Sequence, residues 1–250
     1  MYTLKKSLGQ HFLKDENICR KIVAVVQEKP FERLLEIGPG GGALTKYLLQ
    51  IPGIGFKAVE LDNEKVDYLL QTYPHLAGKV INDSFLKIEK PFDKNFTVVG
   101  NFPYNISSQI LFKILEWTDA VDCVTGMFQK EVAVRIAAKE GNKDYGILSV
   151  LIQAYFKVEY LFEVHENCFV PPPKVKSAVI RLTNTHNPYN INDQRKLFLL
   201  VKTAFGQRRK QLRNPLKKCF APEFLKDDIF TRRAEDLTVR DYVDLMKQMI

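Results

Sequence analysis

The amino-acid sequence predicts an α/β fold: a parallel sheet flanked by helices, followed by a small all-helical domain. Three observations predict it. Short apolar runs alternate with segments of helical period from Leu34 to Lys139. A glycine-rich turn, Gly38-Pro-Gly40-Gly-Gly42, closes the first of those runs. Beyond residue 187 the apolar residues recur at helical spacing only, as in Leu197, Leu200, Val201 and Ala204. Strands that alternate with helices favour a parallel sheet covered on both faces.

The elements follow in order. Ile18, Ile22, Val25 and Val26 share one helical face behind a capping residue, Asp15. Leu34–Ile37 reads as a strand and Ala43–Gln50 as a helix. Phe56–Leu61 and Glu64–Thr72 repeat the pair, and Lys79–Ile81 and Phe96–Val99 are further strands. Ser107–Trp117 reads as a helix, Val121–Phe128 as a strand and Lys130–Lys139 as a helix. Val175–Leu182 alternates around Ser177 and Arg181, as a late edge strand would. The turn-rich stretch Thr183-Asn-Thr-His-Asn-Pro-Tyr-Asn190 then separates the helical remainder. The expected domains are 1–186 and 187–250.

Composition narrows the class. With 250 residues, 46% of them hydrophobic and 26% charged, the chain can fill one large core and one small one. No apolar run approaches the length of a membrane span, and no apolar stretch follows Met-Tyr-Thr-Leu-Lys-Lys, so neither a span nor a secretory signal is expected. Cys19, Cys123, Cys168 and Cys219 form no C-x-x-C pair and do not cluster with histidines, which fits reduced thiols in a cytoplasmic protein and no metal site. The net charge is +8, and residues 187–250 hold 14 Lys and Arg against 8 Asp and Glu. A basic excess concentrated in the last quarter points to a polyanionic partner.

The chemistry begins at the glycine turn. Glycines between a strand and a helix let a ligand approach the backbone and the free N–H groups of the helix start. Glu60 ends the second strand of the alternating pattern, 22 residues after Gly38, where a carboxylate can accept both hydroxyls of a ribose. Asp83 follows the next strand, where its side chain can accept from an adenine amine. Gly38, Gly40 and Ala43 also satisfy the dinucleotide fingerprint, so NAD and S-adenosylmethionine both fit at this point.

Asn101-Phe102-Pro103-Tyr104 closes the fourth strand beside that site. An adenine amine is a poor nucleophile because its lone pair is delocalised into the ring. Acceptors aimed at its protons favour a pyramidal nitrogen. The Asn101 side-chain oxygen and the Phe102 carbonyl can supply two, Pro103 adds no competing donor, and Tyr104 can stack on the base.

With these residues in hand, the sequence resembles the ribosomal RNA adenine N6-dimethyltransferase family over nearly its whole length, the bacterial small-subunit branch above all. The resemblance implies a Rossmann-like S-adenosylmethionine-dependent methyltransferase domain with a helical RNA-binding domain behind it. Gly9-Gln-His11-Phe-Leu13 is similar to a segment that closes over the cofactor, which assigns His11 and Leu13 to cofactor binding together with Gly38, Gly40, Glu60, Asp83 and Asn101. Phe169, in Phe169-Val-Pro-Pro-Pro-Lys-Val175, matches an aromatic that flanks the target base, and joins Asn101, Phe102, Pro103 and Tyr104 as a catalytic candidate. Ala204 to Asn214 resembles the signature opening the family's C-terminal domain. His11 stands where the family has asparagine, and Phe102 where it has leucine or isoleucine.

Arg208, Arg209, Lys210, Arg213 and Lys217 are the RNA-binding candidates. If the preceding helix continues, Arg209, Arg213 and Lys217 share a face at i, i+4 spacing, and Lys5 and Lys6 add charge at the other end of the chain. The expected reaction is in-line attack of adenine N6 on the methyl group, with no metal, on two adjacent adenosines near the 3′ end of small-subunit rRNA. The expected partner is that RNA or the pre-30S particle, the expected state a monomer, and a role in subunit biogenesis follows. The alternatives are a large-subunit rRNA adenine dimethylase of the antibiotic-resistance type, an NAD-dependent oxidoreductase and a non-catalytic assembly factor.

Overall fold

The computed structural model describes residues 11–250, so Lys5, Lys6, Gly9 and Gln10 lie outside the described residues. Two compact units result. Among the described residues, the first comprises 11–133 and Glu159–Asn184, the second Val134–Val158 and Thr185–Ile250. A single cut after residue 186 leaves Val134–Val158 with the first part; packing groups that segment with the C-terminal residues.

In the first unit a two-residue strand, β1 (Phe12–Leu13), precedes α1 (Glu16–Gln27). Asp15 Oδ1 accepts from the N–H groups of Asn17 and Ile18, as its capping position predicts. Then come β2 (Arg33–Ile37), α2 (Thr45–Leu48), β3 (Gly55–Glu60), α3 (Asn63–Thr72), β4 (Val80–Asn82), β5 (Phe96–Asn101), α4 (Ser107–Leu115), β6 (Val121–Gln129) and α5 (Lys130–Ala137). After α6 (Ile147–Gln153), β7 (Phe156–Val164), β8 (Phe169–Val170) and β9 (Ser177–Asn184) follow. The seven-stranded sheet has the order β4-β3-β2-β5-β6-β9-β7, and β1 pairs with β8 in a separate ribbon. Strands β4, β3, β2, β5 and β6 are parallel, and β9 runs antiparallel to β6.

Sheet burial explains the continuous apolar runs. Leu34 and Leu35 on β2, and Val98 and Val99 on β5, are each 0% exposed. Consecutive strand residues point to opposite faces, so both faces of the sheet are covered. The face holding Leu34 and Val99 packs with Ile22, Val23 and Val26 of α1 and Leu48 of α2.

Two expected elements differ in the structure, and two others were not expected. The Val175–Leu182 segment forms β9, but β9 is flanked by β6 and β7 and is no edge strand. Its one charge, Arg181, is accommodated inside the sheet by Glu159 and Glu28. Strand β7 and helix α6 were not anticipated. The helix expected over Ala43–Gln50 is the single turn α2, with turns on either side.

The second unit contains α6, α7 (Gln194–Gly206) and α8 (Val239–Gln248), which pack on one another. Asp193 caps α7 by accepting from the Lys196 N–H, and Thr238 caps α8 through the Asp241 N–H. Helix α7 does not continue into the basic segment. Gln207 leaves helical geometry at φ −128°, ψ 52°, and Gln211 bridges to Arg233. The i, i+4 stripe of Arg209, Arg213 and Lys217 is therefore not formed on a helix, although all three are exposed.

Candidate active site

The parallel strands end on one rim, and a pocket open to solvent lies there. Ligands of open α/β sheets bind at such carboxyl ends. His11, Gly38, Gly40, Glu60, Asp83, Asn101, Phe102, Pro103 and Tyr104 all line it. Nine of the eleven expected cofactor and catalytic residues thus meet in one cavity of one unit.

Local geometry shows how each is held. Gly38 adopts φ +65°, which favours glycine, and a Cβ there would meet nothing within 4 Å. The turn thus presents bare backbone to the cavity. The Glu60 carboxylate, 7% exposed, accepts from the N–H groups of Gly40 and Asp62, both at 3.0 Å. These two bonds tie the strand end to the glycine turn and fix the carboxylate at the pocket wall. Asp83 is exposed and accepts from the Ser84 N–H at 2.6 Å. Behind the turn, Glu36 is 2% exposed and accepts from the Thr45 hydroxyl at 2.7 Å. Burial, opposed by the Thr45 hydrogen bond and aided by the nearby Glu60 charge, pushes the Glu36 carboxyl up to about 8.

Asn101 is the last residue of β5. Its Nδ2 donates to the His11 carbonyl at 2.9 Å, which leaves Oδ1 as the acceptor end of the amide. Phe102 is fully buried, edge-on to Phe128 at 5.0 Å, and its N–H donates to the Met127 carbonyl. The side chain thus anchors the turn that carries the Phe102 carbonyl. Tyr104 stacks on His11 with ring centroids 5.5 Å apart, and its hydroxyl bonds to Ser177 at 2.5 Å. Burial raises the Tyr104 phenol, with the Ser177 bond working the other way.

Leu13 and Phe169 do not line the pocket. They pair across the β1–β8 ribbon and are 5% and 1% exposed, packed into the apolar cluster. The ribbon instead carries His11 and Phe12 to the pocket, helped by the His11 Nδ1 contact with the Pro171 carbonyl at 2.8 Å. Sequence reasoning missed Phe12, Leu61, Lys65 and Phe85 among the lining residues. Leu61 carried a signal, an apolar residue directly after the strand-end acid and 52% exposed. Lys65 carried none, because a lysine in the first turn of a helix reads as a solvated charge.

In the second unit Arg208 forms an ion pair with Glu235 and donates to the Asn142 carbonyl, while Arg209, Lys210, Arg213 and Lys217 are exposed.

The whole chain, residues 1–250, matches the family model described as ribosomal RNA adenine dimethylase. Ribosomal RNA small subunit methyltransferase A of Phocaeicola vulgatus is 52% identical over 251 residues, covering 98% of this chain and 89% of that protein. Its namesake in Flavobacterium johnsoniae is 50% identical over 250 residues, covering 98% and 95%. A solved dimethyladenosine transferase from Plasmodium falciparum shares the fold with a TM-score of 0.81 at 24% identity, covering 96% of this chain and 99% of that one. The solved 23S rRNA methyltransferase ErmE has a TM-score of 0.71 at 24% identity, covering 95% and 99%. Those two likenesses concern the fold, which is the Rossmann-like methyltransferase fold expected. A family match along the full length, with half the residues identical to two proteins of one name, leaves one assignment: the chain belongs to the ribosomal RNA adenine dimethylase family.

Proposed function

We propose that the protein transfers methyl groups from S-adenosylmethionine to the N6 amines of two adjacent adenosines near the 3′ end of small-subunit rRNA. One observation carries the reading. The Asn101 amide shares a cavity with the glycine turn and Glu60, and its NH2 is already bonded to the His11 carbonyl.

The pocket fits the cofactor. Bare backbone at Gly38, a buried carboxylate at Glu60 and an exposed one at Asp83 suit a nucleoside bearing an amino-acid arm. Glu60 accepts the ribose hydroxyls through lone pairs its two backbone bonds leave available, and Asp83 accepts from the adenine amine. His11, Gly38 and Gly40 line the part that receives the amino-acid arm. When bound, S-adenosylmethionine supplies a methyl group on a sulfonium, a leaving group that needs no further activation.

Asn101 Oδ1 and the Phe102 carbonyl accept the two protons of the target amine, direct its lone pair outward and hold it for in-line attack. Tyr104, fixed by Ser177 and His11, offers its remaining ring face to the base. Pro103 keeps the turn rigid and contributes no donor. The proton lost on transfer leaves to solvent. Phe169 and Leu13 act from the core, by holding the ribbon that carries His11. Arg209, Lys210, Arg213 and Lys217 meet RNA phosphates, with Arg208 bracing their segment through Glu235. The substrate is the small-subunit RNA, free or in the pre-30S particle, and the enzyme acts as a cytoplasmic monomer in subunit biogenesis.

The names of the half-identical relatives favour the small-subunit substrate over the large-subunit one. Family membership sets the NAD-dependent alternative aside. The test is transfer of tritiated methyl groups to undermethylated small subunits, with the labelled nucleotides mapped. N6,N6-dimethyladenosine at two adjacent 3′-terminal-region positions is expected. Label confined to large-subunit RNA, or to bases other than adenine, refutes the assignment.

A further inference from the structure

Lys65 lines the pocket yet takes no part in the chemistry of Asn101, Glu60 and Asp83. It lies in the first turn of α3, and its side chain is 0% exposed. Burying an ammonium is costly unless other groups meet the charge. Among the groups that meet it are a carboxylate and an aromatic ring. Asp62 Oδ2, also 0% exposed, lies 3.6 Å away, and the face of the Phe12 ring lies 4.5 Å away. Phe12 in turn presses on the glycine turn: a Cβ at Gly40 would fall 2.8 Å from its Cε1. One residue earlier, the His11 carbonyl receives the Asn101 Nδ2 at 2.9 Å. A continuous set of contacts therefore runs from the buried cation through Phe12 and His11 to the amide at the end of β5.

We propose that Lys65 is a positioning residue for methyl transfer: its ammonium seats the Phe12 ring against the glycine turn and so fixes the His11 carbonyl that orients the Asn101 amide. The role rests on the function proposed above. A cation attracts the face of an aromatic ring, and most strongly where water is excluded. An apolar side chain at 65 would touch the same ring without selecting its face. The orientation matters because the two ends of an amide are chemically opposite. With NH2 on the His11 carbonyl, Oδ1 is left to accept from the adenine amine; reversed, the amide would present donors to donors.

Three variants test it: Lys65→Met with Asp62→Asn, Phe12→Leu, and all three substitutions together. Asn at 62 removes the carboxylate that would lose its cation and still caps α3. Measured are kcat for methyl transfer, cofactor affinity by calorimetry and thermal midpoint. The Lys65→Met/Asp62→Asn protein and Phe12→Leu should each lose about tenfold in kcat, with S-adenosylmethionine affinity within about threefold of wild type. Combined, the three substitutions should lose about tenfold in total, the same as either arm alone and not about a hundredfold, because both arms break one set of contacts. A multiplicative loss, an unchanged kcat, or a fall in cofactor affinity equal to the fall in kcat overturns the role. Phe12→Leu leaves the ion pair intact and decides the matter should the double variant fail to fold: unchanged kcat in it overturns the role. Wild-type protein that transfers no methyl group from S-adenosylmethionine refutes the proposed function and this role with it; wild-type turnover with a multiplicative cycle refutes this role alone.

Discussion

Glu36 and Asn101 lie near the ends of the neighbouring strands β2 and β5, and their surroundings give them opposite tasks. Asn101 is half-buried at the pocket and is held by one bond to a carbonyl. Asn101→Ala removes an acceptor used in the transition state while leaving Glu60 and the glycine turn in place. Single-turnover methyl transfer should fall by about 10²–10³-fold, with cofactor affinity nearly unchanged. Wild-type turnover in that variant would remove Asn101 from the mechanism. Glu36, by contrast, is enclosed, and burial raises its carboxyl to about 8. The folded protein therefore keeps a proton that the unfolded chain has lost above its ordinary carboxyl range. Stability should fall as pH climbs from about 4.5 toward about 8, and the penalty should be complete above that. Glu36→Gln, which cannot ionise, should melt with wild type at pH 5 and several degrees above it at pH 9. An equal difference at both pH values would show that ionisation is not the cause. At this scale the sequence named the Asn101 motif and the glycine turn beside Glu36, but not the enclosure of Glu36, which depends on Thr45 and on the covering of both sheet faces.

Elements were readable where their signals are local. Asp15 was recognisable as a cap because a cap and its N–H partners lie within three residues of one another. Asp15→Ala should cost about 1 kcal/mol and lower the thermal midpoint by about 2–4 °C, measurable by calorimetry. A midpoint unchanged within error would mean that solvent replaces the cap fully. The place of β9 was not readable, since an alternating strand looks the same at an edge or one place in from it. Only pairing with β6 and β7 decides, and both partners are remote in sequence or unrecognised. The basic run after α7 shows the same limit. Helical spacing of Arg209, Arg213 and Lys217 assumed a helix that stops at Gly206, where the chain turns to pair Gln211 with Arg233.

For the whole molecule, charge distribution bears on substrate binding. Each phosphate contact contributes to the salt dependence of RNA affinity. Arg209→Ala, Arg213→Ala and Lys217→Ala should each weaken binding to small-subunit RNA and reduce the slope of log affinity against log salt by about 0.7–0.9. Arg208→Ala should leave the slope nearer wild type and lower thermal stability instead, because its guanidinium is engaged by Glu235 and Asn142. Equal slopes for all four variants would refute that division. The sequence alone determined the alternation of strands and helices, the glycine turn, the acid that ends β3 and the one that follows β4, and the Asn101–Tyr104 motif. Each of these is a local pattern whose chemistry resides in a few adjacent residues. The tertiary structure alone decided that Phe169 and Leu13 belong to the core, that His11 meets Asn101, and that Lys65 is buried beneath Phe12. Those are contacts between residues 53 to 156 positions apart in the chain, and no local period encodes them.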